Sequence, residues 1–332
     1  MLYSENFLNM SAKKNLSPDD ILSLLDYSKF FELLKLPLPS NSDGIINKMI
    51  QEKIITKNGH GYIIKNIGAL LFAKDLNNFD NISRKAVRVI LYDGDNRLKT
   101  IKEMEGRRGY AVGFEGLIEY IDNILPSVEE ISTALRGTIR EYPIIAVREL
   151  VANALIHQDF SISGTSPMIE IFENRIEITN PGKPLIDPLR FVDHNPESRN
   201  EILTRFMRRL NICEERGSGF DKVILECEFN QLPSPKIIID DRYTRVILYG
   251  QKSFAKMDKM DKIRACYLHS CIKYVSGDFA TNQSLRQRFH IETHNYTMAS
   301  RIISETIKEG LLKEYLADNK SKKFAKYIPF WA

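Results

Sequence analysis

Residues 148–159 read Arg148-Glu149-Leu150-Val151-Ala152-Asn153-Ala154-Leu155-Ile156-His157-Gln158-Asp159, and the fold turns on this stretch. With Val147 just ahead, Leu150, Val151, Ala154 and Leu155 recur at helical spacing, which predicts a helix with one face turned to a core. Glu149 and Asn153 stand four apart on another face, and His157 lies one turn further along it. A carboxylate can accept a proton from water. An amide oxygen is a hard ligand suited to Mg²⁺. The same spacing also occurs on solvated helix faces, so this block alone assigns no chemistry.

Two further blocks lie downstream. Ile178-Thr179-Asn180-Pro181-Gly182 is an apolar strand ending in a polar residue and Pro-Gly, where glycine allows tight backbone geometry and close approach of a ligand. An ordinary strand-ending turn has the same pattern. Glu214-Glu215-Arg216-Gly217-Ser218-Gly219-Phe220-Asp221 sets a Gly-x-Gly before a helix-like run over Phe220–Cys227. Exposed amides at a helix start favour phosphate, although flexible loops use such glycines too. Neither GxxxxGK[ST] nor GxGxxG occurs.

Around these blocks the chain divides into three modules. The first, residues 17–65, opens on a helix start at Ser17-Pro18-Asp19-Asp20. A second amphipathic run holds Ile45, Ile46, Met49 and Ile50, and strand-like pieces flank Asn58-Gly59-His60-Gly61, so a winged-helix-like module is predicted. Residues 1–16 read as a tail. The second module, residues 66–250, is expected to hold strands over 86–92, 168–172, 175–179 and 244–249. Its helices are expected over 111–124, from Pro143 onward, and over 199–210, a mixture that implies an α+β sandwich. The third, residues 257–332, predicts helices over 261–275, 283–289 and 295–309, with Gly310 in a left-handed cap. A wing over 311–330 completes a C-terminal winged helix.

The chain has 332 residues, 43% apolar and 27% charged, with a net charge of +4. That length suggests more than one ordinary core. No window of about 18 apolar residues suggests a membrane span, and no basic segment followed by an apolar run marks a secretory signal. Four cysteines without CxxC pairing read as reduced thiols of a cytoplasmic protein. The small net charge hides an asymmetry: residues 252–332 carry 15 Lys and Arg against 8 Asp and Glu, a net of +7, and the rest carries −3. A basic module can mark a nucleic-acid partner, and it can equally be a solvated surface.

The three central blocks, taken in order, resemble the GHKL (Bergerat-type) ATPase fold of gyrase B, heat-shock 90, MutL and histidine-kinase ATP domains. More closely, the chain resembles the RecG-related, Schlafen/AlbA-type transcriptional regulators. YPIIAVRELVANALIHQDFSISG, IEIFENRIEITNPG and EERGSGFDKV carry this likeness. NIGALLFAKDL, RKAVRVILYDGDNRLKTI and the terminal PFWA extend it more weakly. The fold it implies is an α+β GHKL sandwich flanked by winged-helix domains. It implies that Glu149 activates water and that Asn153 coordinates Mg²⁺. His157, Asn180, Gly182, Gly217, Ser218 and Gly219 would then approach ATP together with Asn153. Asn180 stands where the family has an aspartate, so it can accept a hydrogen bond from the adenine amino group but brings no charge. Relatives usually begin with an AlbA-type domain, and this chain starts where that domain would end. The RecG name implies no helicase here, since helicase Walker motifs are missing.

The resulting expectation is an ATP-binding, DNA-binding regulator in which lid closure over Mg²⁺-ATP shifts the winged helices or drives a homodimer, with slow hydrolysis resetting the switch. Tyr296 and Arg301 on the recognition helix, with Lys320, Lys322 and Lys323 on the wing, are the candidate DNA contacts. No membrane partner is expected. The alternative is a non-enzymatic DNA-binding or assembly scaffold with a vestigial GHKL fold.

Overall fold

The computed structural model describes residues 2–131, 136–195, 197–213, 219–315 and 325–332. The chain is α+β. It begins with helix α1 (Leu2–Asn9), strand β1 (Ser11–Leu16), helices α2 (Pro18–Leu24), α3 (Tyr27–Leu33) and α4 (Ser42–Gln51), and a hairpin of β2 (Ile55–Asn58) and β3 (Gly61–Lys65). Ser17 caps α2 through a reciprocal pair: its hydroxyl accepts from the Asp20 amide at 3.1 Å, and the Asp20 carboxylate accepts from the Ser17 amide at 2.8 Å. Residues 2–16 are not the tail that their sequence suggests. β1 pairs antiparallel with β3, Asn66 Nδ2 donates to the Phe7 carbonyl at 2.9 Å, and Phe7 stacks on Phe160 at 5.0 Å. Short, polar Ser-Ala-Lys-Lys-Asn-Leu shows no alternation from which a strand could be read.

Next come the wholly buried helix α5 (Asn66–Phe72), strands β4 (Val87–Tyr92) and β5 (Thr100–Gly106), helix α6 (Tyr110–Ile124) and the hairpin β6 (Ser127–Ile131) with β7 (Arg136–Arg140). Helix α7 (Ile144–Ile156), strands β8 (Met168–Ile171) and β9 (Arg175–Pro181), helices α8 (Glu201–Arg209) and α9 (Gly219–Phe229), and strands β10 (Lys236–Ile239) and β11 (Tyr243–Tyr249) follow. Six of these strands form one sheet in the order β10-β11-β9-β8-β4-β5. Only the β4–β8 pair is parallel, so the sheet is mixed.

Strand alternation sets the two faces of this sheet. Ile169, Ile171, Ile176 and Ile178 join the core with Leu150, Val151 and Leu155 of α7 and Val223 and Ile224 of α9. On the other face Glu170 and Glu177 are both held by Arg97, at 2.6 Å each, and Arg175 adds a 2.7 Å contact to Glu177. Two carboxylates buried on one sheet face need such pairing to offset the cost of their desolvation.

The chain ends with α10 (Lys259–Val275), α11 (Asn282–Phe289), α12 (Tyr296–Lys308), and paired strands β12 (Leu312–Glu314) and β13 (Tyr327–Pro329). Gly310 follows α12 with φ +73°, the left-handed cap expected of it. These strands cover only the two ends of the wing expected over 311–330, and most of the residues between them lie outside the described residues. A single cluster of buried side chains runs from Leu8 to Leu312, crossing the boundaries at 65 and 250 that the sequence suggests. The four cysteines are buried and unbridged. Among the described residues no helix is long and apolar enough to cross a membrane.

Candidate nucleotide-binding site

Burial of its apolar face positions α7. With Leu150, Val151, Ala154 and Leu155 turned into the core, Glu149, Asn153 and His157 border a cavity of about 1480 Å³. Asn153 Nδ2 donates to Glu149 Oε1 at 3.2 Å. That commits the amide nitrogen and leaves Oδ1 as the acceptor of Asn153. Gly219, the first residue of α9, lies against the Glu149 carboxylate. A Cβ there would stand 1.8 Å from Glu149 Oε1, so any larger residue must displace the carboxylate.

The opposite wall is α8. Asn200, just ahead of α8, donates to the carbonyls of Ile156 and Gln158 at 2.8 and 2.7 Å, at the C-terminal end of α7. Arg148, near the start of α7, donates to the Asn211 carbonyl beyond α8 at 3.4 Å. The two helices therefore run antiparallel with the cavity between them. Ile178, Asn180, Thr244 and Val246 of β9 and β11 also line it. Asn180 is 9% exposed and its Nδ2 donates to the Pro181 carbonyl at 3.2 Å. Its Oδ1 is thus the acceptor left for a ligand. Gly182 has φ +97°, and a Cβ there would lie 2.6 Å from Asp159 Cβ. Conformation and space both require glycine. The Thr244 hydroxyl donates to the Gly182 carbonyl at 2.6 Å and holds the turn.

The three sequence blocks carry no sign of the electrostatics of this cavity. Arg199, Arg205, Arg208 and Arg209 line it, against Glu149, Glu197 and Glu201. Leu203, Phe206 and Met207 bury the inner face of α8, which turns the arginines outward toward the cavity. Their i, i+3, i+4 spacing in Arg205-x-x-Arg208-Arg209 was a visible signal of one shared face. Arg199 is engaged by Asp159 at 2.5 Å and by the Lys183 carbonyl, and Arg209 by Glu52 of the N-terminal segment at 2.7 Å. Burial lifts the Cys213 thiol to about 11, with Arg208 opposing and Glu149 reinforcing the shift.

Desolvation, then the charges of Arg199 and Arg208, hold the His157 imidazole down to about 4. His157 is neutral at pH 7, whereas an unfolded imidazole protonates near 6.5. Below that pH the unfolded chain binds more protons, so stability falls as pH drops from about 6.5 toward 4. Between pH 7 and pH 4.5 the wild type should lose about 2–3 kcal/mol more than His157→Gln, measured by urea unfolding. Parallel losses in the two proteins would contradict this.

Glu149, Asn153, His157, Asn180 and Gly219 thus meet at one cavity, and Gly182 shapes its edge. Gly217 and Ser218 lie outside the described residues, as do Lys320, Lys322 and Lys323. Tyr296 and Arg301 are on α12, away from the cavity. Tyr296 is 57% exposed, which excludes a core-anchor role. Arg301 is exposed and pairs with Glu305 at 3.2 Å.

Residues 164–248 match the HATPase_c_4 family, described as "Putative ATP-dependent DNA helicase recG C-terminal". The matched segment holds β8 to β11 and the Asn180-Pro181-Gly182 turn; α7 precedes it. No curated protein matches the chain. Among solved structures, the DIP2311 protein from Corynebacterium diphtheriae is similar in fold, with a TM-score of 0.57 and 14% identity over 90% of this chain. This chain covers 60% of that protein's length.

Proposed function

We propose that the chain binds Mg²⁺-ATP between α7 and α8 and uses it as a conformational switch in a DNA-binding regulator, with slow hydrolysis resetting the switch. The observation that carries this reading is the Glu149–Asn153 pair at 3.2 Å on the wall of a cavity of about 1480 Å³. The residues suit such a ligand. The volume exceeds the roughly 300–1,000 Å³ of ordinary small-molecule sites, leaving room for a nucleotide with its cation and waters. Asn180 Oδ1 offers an acceptor to the adenine amino group, and the arginines of α8 offer charge to phosphate. Bound Mg²⁺ would neutralise part of the triphosphate charge, with Asn153 Oδ1 as its protein ligand. Glu149 would take a proton from water, and Gly219 leaves the space in which its carboxylate sits.

A route from site to DNA-binding module supports the switch. α9 starts against Glu149 and ends near Glu228, whose carboxylate accepts from His269 Nδ1 at 3.1 Å and faces Arg288 Nε at 3.5 Å. His269 Nε2 in turn meets Ser284 Oγ at 3.0 Å. These contacts tie the far end of α9 to α10 and α11, and through them motion at the start of α9 would reach the C-terminal helices. Binding can drive it only if ATP prefers one of the two arrangements. Three helices followed by a hairpin, with an Ala280–Tyr327 bridge, agree with a winged helix. Exposed Tyr296 and Arg301 then face DNA, with the wing lysines on phosphates.

Calorimetry of the full chain with Mg²⁺ and millimolar ATP tests the nucleotide claim. Saturable binding is expected; its absence leaves the scaffold reading. For DNA, replacing Lys320, Lys322 and Lys323 with alanine should weaken binding and flatten the log K against log salt slope by about 2–3, at roughly 0.9 per phosphate contact. An unchanged slope would exclude the wing from the interface.

A further inference from the structure

We propose that Arg208 is the anchor for the phosphate chain in this cavity and sets the preference for triphosphate over less phosphorylated nucleotides. This rests on the nucleotide reading above and goes beyond it by naming a residue outside the three sequence blocks. Arg208 Nε is buried and has no hydrogen-bond partner. A desolvated guanidinium N–H without an acceptor is costly, so its persistence points to an acceptor supplied from outside the chain. The neighbouring arginines differ. Arg199 and Arg209 are held by Asp159 and Glu52, and Arg205 is exposed, where water can satisfy it. Among the described residues Arg208 has no carboxylate partner, yet it lines the cavity facing α7.

Its place along that wall is set by its neighbours. The charge of Arg208 is felt by both His157 and Cys213, and Cys213 also feels Glu149. Arg208 lines the same cavity as Glu149, Asn153 and His157 of α7, in keeping with those effects of its charge. The chemistry that suits it is polyphosphate. A planar guanidinium offers parallel N–H donors to oxyanions, and the Asn153 amide oxygen suits the hard cation that accompanies polyphosphates. A lone carboxylate ligand would have no use for the second feature.

The experiment uses the full chain, with Arg208→Met keeping the apolar stem and Arg208→Lys keeping the charge. Each is titrated by calorimetry with adenosine, AMP, ADP and ATP in Mg²⁺, and with inorganic tripolyphosphate. Wild-type affinity should rise along the series. Arg208→Met should lose about tenfold or more for ATP and tripolyphosphate, since charge-assisted bonds are at stake, while adenosine stays within about twofold. Arg208→Lys should recover part of the loss. An unchanged ATP-to-adenosine ratio in Arg208→Met, or an equal loss for both ligands, overturns the assignment and leaves ATP binding intact. Wild type that binds tripolyphosphate through Arg208 but not adenosine upholds Arg208 and sinks the adenine reading. Wild type that binds none of these ligands sinks both. A second readout needs no nucleotide: the His157 imidazole, followed by NMR, should titrate at higher pH in Arg208→Met. An unmoved titration would place the guanidinium away from His157 and overturn the assignment.

Discussion

Replacing Glu149 with glutamine should lower Mg²⁺-ATP hydrolysis by roughly 10²–10⁴-fold, the usual worth of a positioned general base. Glutamine keeps the size of the side chain and can still accept from Asn153 Nδ2, the 3.2 Å contact that sets the pair. ATP affinity should therefore stay within about threefold. Steady-state phosphate release and calorimetry on the same preparations separate the two effects. Turnover that survives in Glu149→Gln would place the base elsewhere, and a parallel loss of affinity would make Glu149 a binding residue.

Asn153→Ala should have the opposite profile. It removes the amide oxygen left for a cation and the donor that orients Glu149. Loss of even an outer-shell partner of a metal ligand costs on the order of 10–100-fold in metal affinity, so losing the ligand itself should weaken ATP binding in Mg²⁺ by at least about tenfold. The difference from wild type should nearly vanish when Mg²⁺ is replaced by EDTA. Asn153 is on the partly buried flank of α7, and its neighbours Ala152 and Ala154 carry the packing, so the fold should survive. Equal weakening with and without Mg²⁺ would mean that Asn153 acts by shaping the cavity.

Elements with strong internal patterning were readable from sequence, and the others were not. α7, β4 and α12 carry apolar periodicities that survive any context, and the structure places them within a few residues of the expected ranges. β5 escaped because it is an edge strand: Thr100–Gly106 is largely exposed and lacks alternation. β1 escaped for the same reason, and its pairing with β3 depends on residues some 50 positions away. At the site, Glu149 and Asn153 were legible because both lie on one helix. Their convergence with Asn180 and Gly219 needs the sheet. Arg208 was the least legible, because a basic helix face looks the same whether it meets water or a cavity. Only the antiparallel placement of α8 across the cavity from α7 tells the two apart.

A crystal structure of the full chain grown with Mg²⁺ and a non-hydrolysable ATP analogue is the most direct measurement. The nucleotide should lie between α7 and α8, with its base at Asn180, its phosphates at Arg208 and Mg²⁺ on Asn153 Oδ1. A cavity that stays free of nucleotide at millimolar analogue, with Glu149, Asn153 and Arg208 unmoved, would contradict the nucleotide function proposed for this chain.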